Sequence, residues 1–253
     1  MASLAHIFLE FDFFVFCYTI LLMLKFDPVS HSYLNPHTEE TYISTTQLLS
    51  KFKKPFDVEK ISKRVAEKEG VSQEEIKERW KKINTNSKNY GSLIHGVLEN
   101  YNSAKIVTEG YEDFIDSYKK LGVIKDEDTL LVEEKLYNHF YKLAGTADVI
   151  RLEDKGGFSV FDLKTNKKFN LYNPFSEYLL SPLSHLSSCE YTTYALQLSL
   201  YAFMYQTMTG RNVNQLGIIY YNKEDNEFFY YPVPYLKSDV LVMLDYYAKN
   251  FVG

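Results

Sequence analysis

The 253-residue chain is short of most features that place a protein quickly. It has only two cysteines, Cys17 and Cys189, far apart and without CxxC spacing. Neither a zinc ribbon nor a four-cysteine iron–sulfur cluster can be built from them, and a reducing, cytoplasmic setting is the default. HExxH, a Walker A sequence and GxSxG are all missing, which removes zincin chemistry, NTP hydrolysis and serine-esterase chemistry. There is no internal repeat and no low-complexity segment. A basic excess is also lacking: the net charge of −5 argues against a protein that holds nucleic acid by bulk electrostatics. Local basic clusters do exist, at Lys51, Lys53 and Lys54 and at Lys164, Lys167 and Lys168.

Long apolar runs are equally scarce. The run from Phe13 to Leu24, broken on its N-terminal side by Glu10 and Asp12, is too short to span a bilayer as a helix. It has no basic segment before it and no clear small-residue cleavage site after it, which speaks against a signal peptide. Three readings stay open: a weak anchor, a segment packed on the domain, or upstream sequence translated ahead of a start at Met23. The last is preferred, because LKFDPVSHSYLNPHTEETYIS already reads as a domain opening. The expected organisation is an apolar extension over 1–23, one domain over 24–253, and no stable membrane association.

What the chain has in quantity is Tyr (22) and Phe (18), large buried surfaces and potential platforms for bases. A small hairpin is expected between Asp27 and Tyr42, then a short helix over Gln47–Phe52 capped by Ser44, Thr45 or Thr46. Asp57 caps a helix over 58–69 that Gly70 ends, and Ser72 with Glu75 opens a longer helical stretch towards Tyr101, with an interruption at Asn84–Gly91. A helix over 111–121 follows. From Leu130 the pattern turns extended, with strands at 130–138, 141–153 and 158–165 forming a meander. A long Asn-, Pro- and Ser-rich loop covers 167–190, and loops of that length tend to be functional or mobile. A buried helix over 191–209, strands at 214–222 and 227–234 and a helix over 238–250 complete the chain.

The informative stretch is GTADVIRLEDKGGFSVFDLKTNK (145–167). A hairpin turning near Lys155–Gly157 sets Asp148 beside Asp162, and Lys164, two residues further on, points to the same face as Asp162. A D-x-K on an exposed sheet face is commonplace. Here, however, Asp162 follows the apolar run Phe158–Phe161 and Asp148 follows Gly145-Thr-Ala, so both acids belong to core strands, where a carboxylate needs a compensating cation. Paired acids and an ammonium suit metal-dependent phosphodiester hydrolysis, in which carboxylates hold Mg²⁺ or Mn²⁺.

Gly91-Ser-Leu-Ile-His95-Gly-Val-Leu-Glu99, Glu133 in VEEKLY, Gly145-Thr-Ala-Asp148, Asp162-Leu-Lys164-Thr165 and Gln197-Leu-Ser-Leu-Tyr201 come in an order that resembles the RecB-like branch of the PD-(D/E)XK nuclease superfamily, phage-type exonucleases in particular. The resemblance spans about residues 24–250. It implies an α/β fold with a central mixed sheet flanked by helices, the restriction-endonuclease-like core. It implies Asp148, Asp162, His95 and the carbonyl of Leu163 as metal ligands, Lys164 as the catalytic lysine and Glu133 as a further catalytic acid. Gln197 and Tyr201 match the QxxxY motif, which supports the site and contacts DNA. The implied activity is exonucleolytic cleavage of DNA ends or single strands leaving 5′-phosphates, in recombination, repair or replication. A recombinase or single-strand-binding protein would be the accompanying partner, in the cytoplasm of a bacterial or phage-infected cell. Aromatic and basic residues of the 167–190 loop are expected to grip a single strand. Two alternatives stand beside this reading: a structure-specific or restriction-type endonuclease on the same core, and a DNA-binding module with a degenerate site.

Overall fold

Apolar residues that recur in helical spacing between residues 58 and 121 and alternate or run continuously between 129 and 164 dictate helices and then strands over that stretch. A computed structural model describes residues 24–27, 32–167 and 169–251 and has this arrangement. The apolar extension over 1–23 lies outside the described residues; among these, no helix is long and apolar enough to cross a membrane.

Three short strands come first, β1 (Lys25–Asp27), β2 (Ser32–Leu34) and β3 (Thr41–Ser44), followed by helix α1 (Thr45–Ser50). Ser44 caps α1 with a reciprocal capping box: its hydroxyl accepts from Gln47 N, and its own N–H donates to Gln47 Oε1. Helix α2 (Val58–Glu69), capped by Asp57 and ended by Gly70, pairs with α3 (Gln73–Ala104), and α4 (Glu112–Lys120) follows. Then come β4 (Thr129–Asn138), β5 (Leu143–Leu152), β6 (Gly157–Lys164), α5 (Glu190–Thr209), β7 (Asn212–Asn222), β8 (Glu227–Val233) and α6 (Lys237–Phe251).

The expected break at Asn84–Gly91 does not occur. The α3 helix is continuous over 32 residues. Its middle is rich in Asn, Ser and Gly and exposed, but each end is anchored: Ile76 is buried in the first half, and Ile94, Val97, Leu98 and Tyr101 in the second. Packing at both ends outweighs a propensity cost of roughly 1 kcal/mol or less per residue.

The sheet is mixed, with helices on both faces, as the α/β reading expects. Strands run in the order β1-β2-β3-β5-β6-β7-β8, with β4 along the other edge of β5. The expected meander β4-β5-β6 is antiparallel, while β3 joins β5 and β6 joins β7 in parallel. Against one face pack α1, α5 and α6; against the other, α3 and α4. With both faces covered, β6 is buried from Gly157 to Leu163, and α5 buries every residue from Ala195 to Ala202.

A fork in the sheet positions everything that follows. Because β4 occupies one edge of β5, β3 and β6 must share the other: β3 pairs at Leu143 and Ala144, β6 only from Val149 to Leu152. Residues Gly145 to Asp148 therefore have no strand along that edge. At Gly145 the gap is filled by Tyr201 from α5 and by Thr45, so closely that a Cβ there would stand 2.6 Å from the Tyr201 ring and 3.1 Å from Thr45 Cγ2. Gly145→Ala is expected to lower stability by about 1–3 kcal/mol. Gly96→Ala, on α3 with open space around it, should raise stability by about 0.5–1 kcal/mol. Chemical denaturation of the two variants checks the opposite signs.

Candidate active site

At the fork the alternation of β5 slips. Ala147 packs into the core under α5, and Val149, two residues on, into the core under α3. Opposite Asp148 on β4 stands Glu133, skipped by the ladder between the pairs Val132↔Val149 and Glu134↔Ala147 and held at φ +52°. Left-handed backbone at a residue other than Gly costs on the order of 1–3 kcal/mol and tends to mark functional sites. Beyond the Val149–Phe161 pair β5 and β6 part, and the carboxylate of Asp148 takes over: its Oδ2 accepts the Leu163 N–H at 2.7 Å.

His95, on the buried second half of α3, brings Nδ1 to 3.5 Å from the same Asp148 oxygen. Glu133 completes a cluster in which one ligand atom each from His95, Glu133 and Asp148 lie within 4.8 Å of one another. Glu99, one helical turn after His95, lines the same small cavity. Asp162, only 2% exposed, lies on β6 and forms an ion pair through Oδ2 with the ammonium of Lys164. That oxygen has no well-aligned hydrogen bond.

The charge balance is uneven. Asp148, Glu99 and Asp162 act on Glu133, Asp162 acts on Asp148, and Lys164 is drawn to Asp162 and Asp148. Burial first, then Asp148, Glu99 and Asp162, pushes the Glu133 carboxyl up to about 7. Asp148 is likewise raised, by burial and by Asp162, against the pull of His95, Lys164 and the Leu163 N–H. Burial opposes the charge on Lys164, but Asp162 and Asp148 outweigh it and hold the ammonium above its ordinary range.

The QxxxY pair stands behind this centre. Gln197 Nε2 donates to Tyr201 Oη at 2.8 Å, and Thr45 Oγ1 donates to the same oxygen at 3.4 Å. Tyr201 is buried and its hydroxyl raised, by burial and by Asp162.

The sequence-predicted residues thus divide. His95, Glu133 and Asp148 converge; Asp162 turns to Lys164; Gln197 and Tyr201 back the fork. Of the expected metal set of His95, Asp148, Asp162 and the Leu163 carbonyl, His95 and Asp148 meet in the cluster, where Glu133 joins them, and the Leu163 N–H bonds Asp148. The φ of Glu133, which aims its side chain inward, has no sequence signature.

Tyr194 escaped sequence reading. The Lys164 ammonium sits 4.6 Å from its ring centroid, and its hydroxyl donates to Asn166 Oδ1 at 3.2 Å. The signal was available: Tyr194, Gln197 and Tyr201 fall at i, i+3 and i+7, one stripe of α5. The 167–190 loop carries the exposed aromatics Tyr172 and Phe175, 73% and 83% accessible.

An ion can be tested against these residues. Two carboxylates and an imidazole suit a divalent cation, and the raised Glu133 and Asp148 report a cluster short of positive charge. The buried Asp162 oxygen that pairs with Lys164 adds a further negative charge acting on both carboxyls. The residues fit a divalent cation.

No protein family and no curated protein matches the sequence. Among solved structures the chain is similar to the crystal structure of SSO0001, with 15% identity, TM-score 0.39, and 82% of this chain and 74% of that one covered. It is also similar to a candidate exonuclease from Eubacterium rectale, with 13% identity, TM-score 0.37, and 66% of this chain and 63% of that one covered. The chain therefore spans less than two thirds of the second protein.

Proposed function

We propose that the protein is a metal-dependent deoxyribonuclease of the RecB-like PD-(D/E)XK kind. It trims DNA from ends, leaves 5′-phosphates, and serves recombination, repair or replication. The observation that carries the reading is the convergence of His95, Glu133 and Asp148 beside the Asp162–Lys164 pair at the sheet's fork. The exonucleolytic mode and the product end follow from the motif resemblance.

His95, Glu133 and Asp148 would hold the cation, with Asp162 adjacent. When bound, Mg²⁺ or Mn²⁺ supplies Lewis acidity, lowering the pKa of water and neutralising phosphoryl charge. The chain's own residues do the rest. Lys164 is kept charged by Asp162 and steadied over the Tyr194 ring, so Nζ can orient a water or bond a phosphate oxygen as charge develops. The Leu163 N–H fixes the carboxylate of Asp148, and Gln197 and Tyr201 keep α5 tight against the fork.

Digestion of labelled oligonucleotides with either end blocked, and of a circular single strand, in Mg²⁺, Mn²⁺ or chelator, tests the reading. Cleavage is expected from open ends only, with Mn²⁺ half-saturating at lower concentration than Mg²⁺. Asp148→Asn and Lys164→Met should each reduce it by about 100-fold or more. Undiminished cleavage in both variants overturns the site, and cutting of the circle overturns the exonuclease mode.

Metal and proton should also compete. A carboxyl raised in the folded state keeps a proton that the unfolded chain has lost, so stability falls as pH rises from the ordinary Glu value of 4.5 to about 7. The melting temperature of metal-free protein is expected to fall across that window and level off above it. Glu133→Gln should flatten the fall, and Mn²⁺ should raise the melting temperature more at the alkaline end than at the acid end.

For Tyr194 the ring should matter more than the hydroxyl. Tyr194→Leu is expected to lower kcat about 10-fold with KM little changed, while Tyr194→Phe stays within about two-fold of the parent, a comparison steady-state kinetics makes directly.

A further inference from the structure

Beside the candidate metal cluster, and opening on Lys164 and His95, runs a groove of about 650 Å³. Its size falls within the range of roughly 300–1,000 Å³ typical of ligand sites. One wall is the exposed middle of α3, contributing Lys88 and Tyr90; the other is the turn between β7 and β8, contributing Lys223 and Glu224. Lys164 and Lys167 lie along its floor. Four lysines against one glutamate make this a basic feature on a chain of net charge −5. Among the described residues of the 167–190 loop, Lys167 alone lines it.

We propose that this groove is the lane in which one single strand of DNA lies as it meets the site, a placement that rests on the nuclease reading. Charge complementarity selects a polyanion: Lys88, Lys167 and Lys223 are exposed, Lys167 beside Glu224 at 4.0 Å and Lys223 over the Tyr90 ring, and Lys164 closes the inner end. Half-buried Tyr90 carries the Lys223 ammonium on its ring and so holds that charge at the groove wall. The walls meet where Lys223 Nζ rests 4.0 Å from the Tyr90 ring centroid, and the roughly 650 Å³ beside that contact has room for one strand and not for a duplex. The continuity of α3 through 84–91 makes this wall rigid; a helix broken there would present no wall.

The opposite side of the site differs. A second groove of about 500 Å³, reaching Glu133, is lined largely by hydroxyl and aromatic side chains, with Lys135 its one lysine among the described residues. The strand's phosphates are therefore gripped on the Lys164 side.

Binding measured in chelator tests the lane without requiring cleavage. The full chain is titrated into a fluorescent oligothymidylate of about twenty nucleotides, and into a blunt duplex of equal length, at several salt concentrations. Lys88→Glu combined with Lys223→Glu is expected to weaken oligothymidylate binding at least about 10-fold and to flatten the log K against log salt slope by about 1.4. Lys63→Glu combined with Lys249→Glu makes the same charge change on other exposed surface and should stay within about two-fold of the parent. Equal loss in both pairs, no loss in the first, or a duplex bound as tightly through the same lysines overturns the lane. Cleavage in Mn²⁺ is scored separately. Loss confined to the groove pair without any cleavage by the parent keeps the lane and removes the nuclease; cleavage with unaltered binding does the reverse.

Discussion

One hydrogen bond carries an unusual share of this architecture: the Leu163 N–H donating to Asp148 Oδ2. Two strands that separate inside a sheet leave backbone donors facing a gap, and a buried unpaired N–H costs about 1–3 kcal/mol. A side-chain carboxylate placed at the point of separation satisfies the donor and keeps the strands from zipping further. It also makes the strand opening a place where charge can be concentrated. The acid that ends the ladder is the same one that His95 and Glu133 approach, so sheet geometry and site chemistry are set by a single residue.

The second constraint is electrostatic. A buried carboxylate such as Asp162 is tolerated because Lys164 accompanies it, and Asp148 is left with a share of that ammonium, His95 and the Leu163 N–H. The protein resolves this by holding Glu133 and Asp148 up towards their protonated forms, an arrangement poised to exchange protons for a cation. Fold stability and readiness to bind metal pull in opposite directions here.

Much of this was legible in the sequence. The Gly-Gly turn and the alternation around Asp148 and Asp162 specify a hairpin, and the Asp162-Leu-Lys164 spacing places both side chains on one face. Capping at Ser44 and Asp57 follows directly from local chemistry. What escaped was tertiary. The α3 helix reads as interrupted because its middle has weak propensity, yet the ends are fixed by packing that no local window registers. The left-handed Glu133 is invisible because nothing in VEEKLY demands it; the slip in β5 alternation imposes it. The basic lane is drawn from residues far apart in sequence, Lys88, Lys164 and Lys223, which only the packing of α3 against the β7–β8 end of the sheet brings together.

The close approach of Tyr201 to Gly145 has a consequence for how such a protein can diverge. A bulkier residue at 145 is admissible only where 201 has shrunk, and a shrunken 201 would free Gln197 and Thr45 of their shared partner. The two positions are coupled as lock and key are. Lineages of this chain should either keep both or exchange both, with single replacements surviving only as brief intermediates.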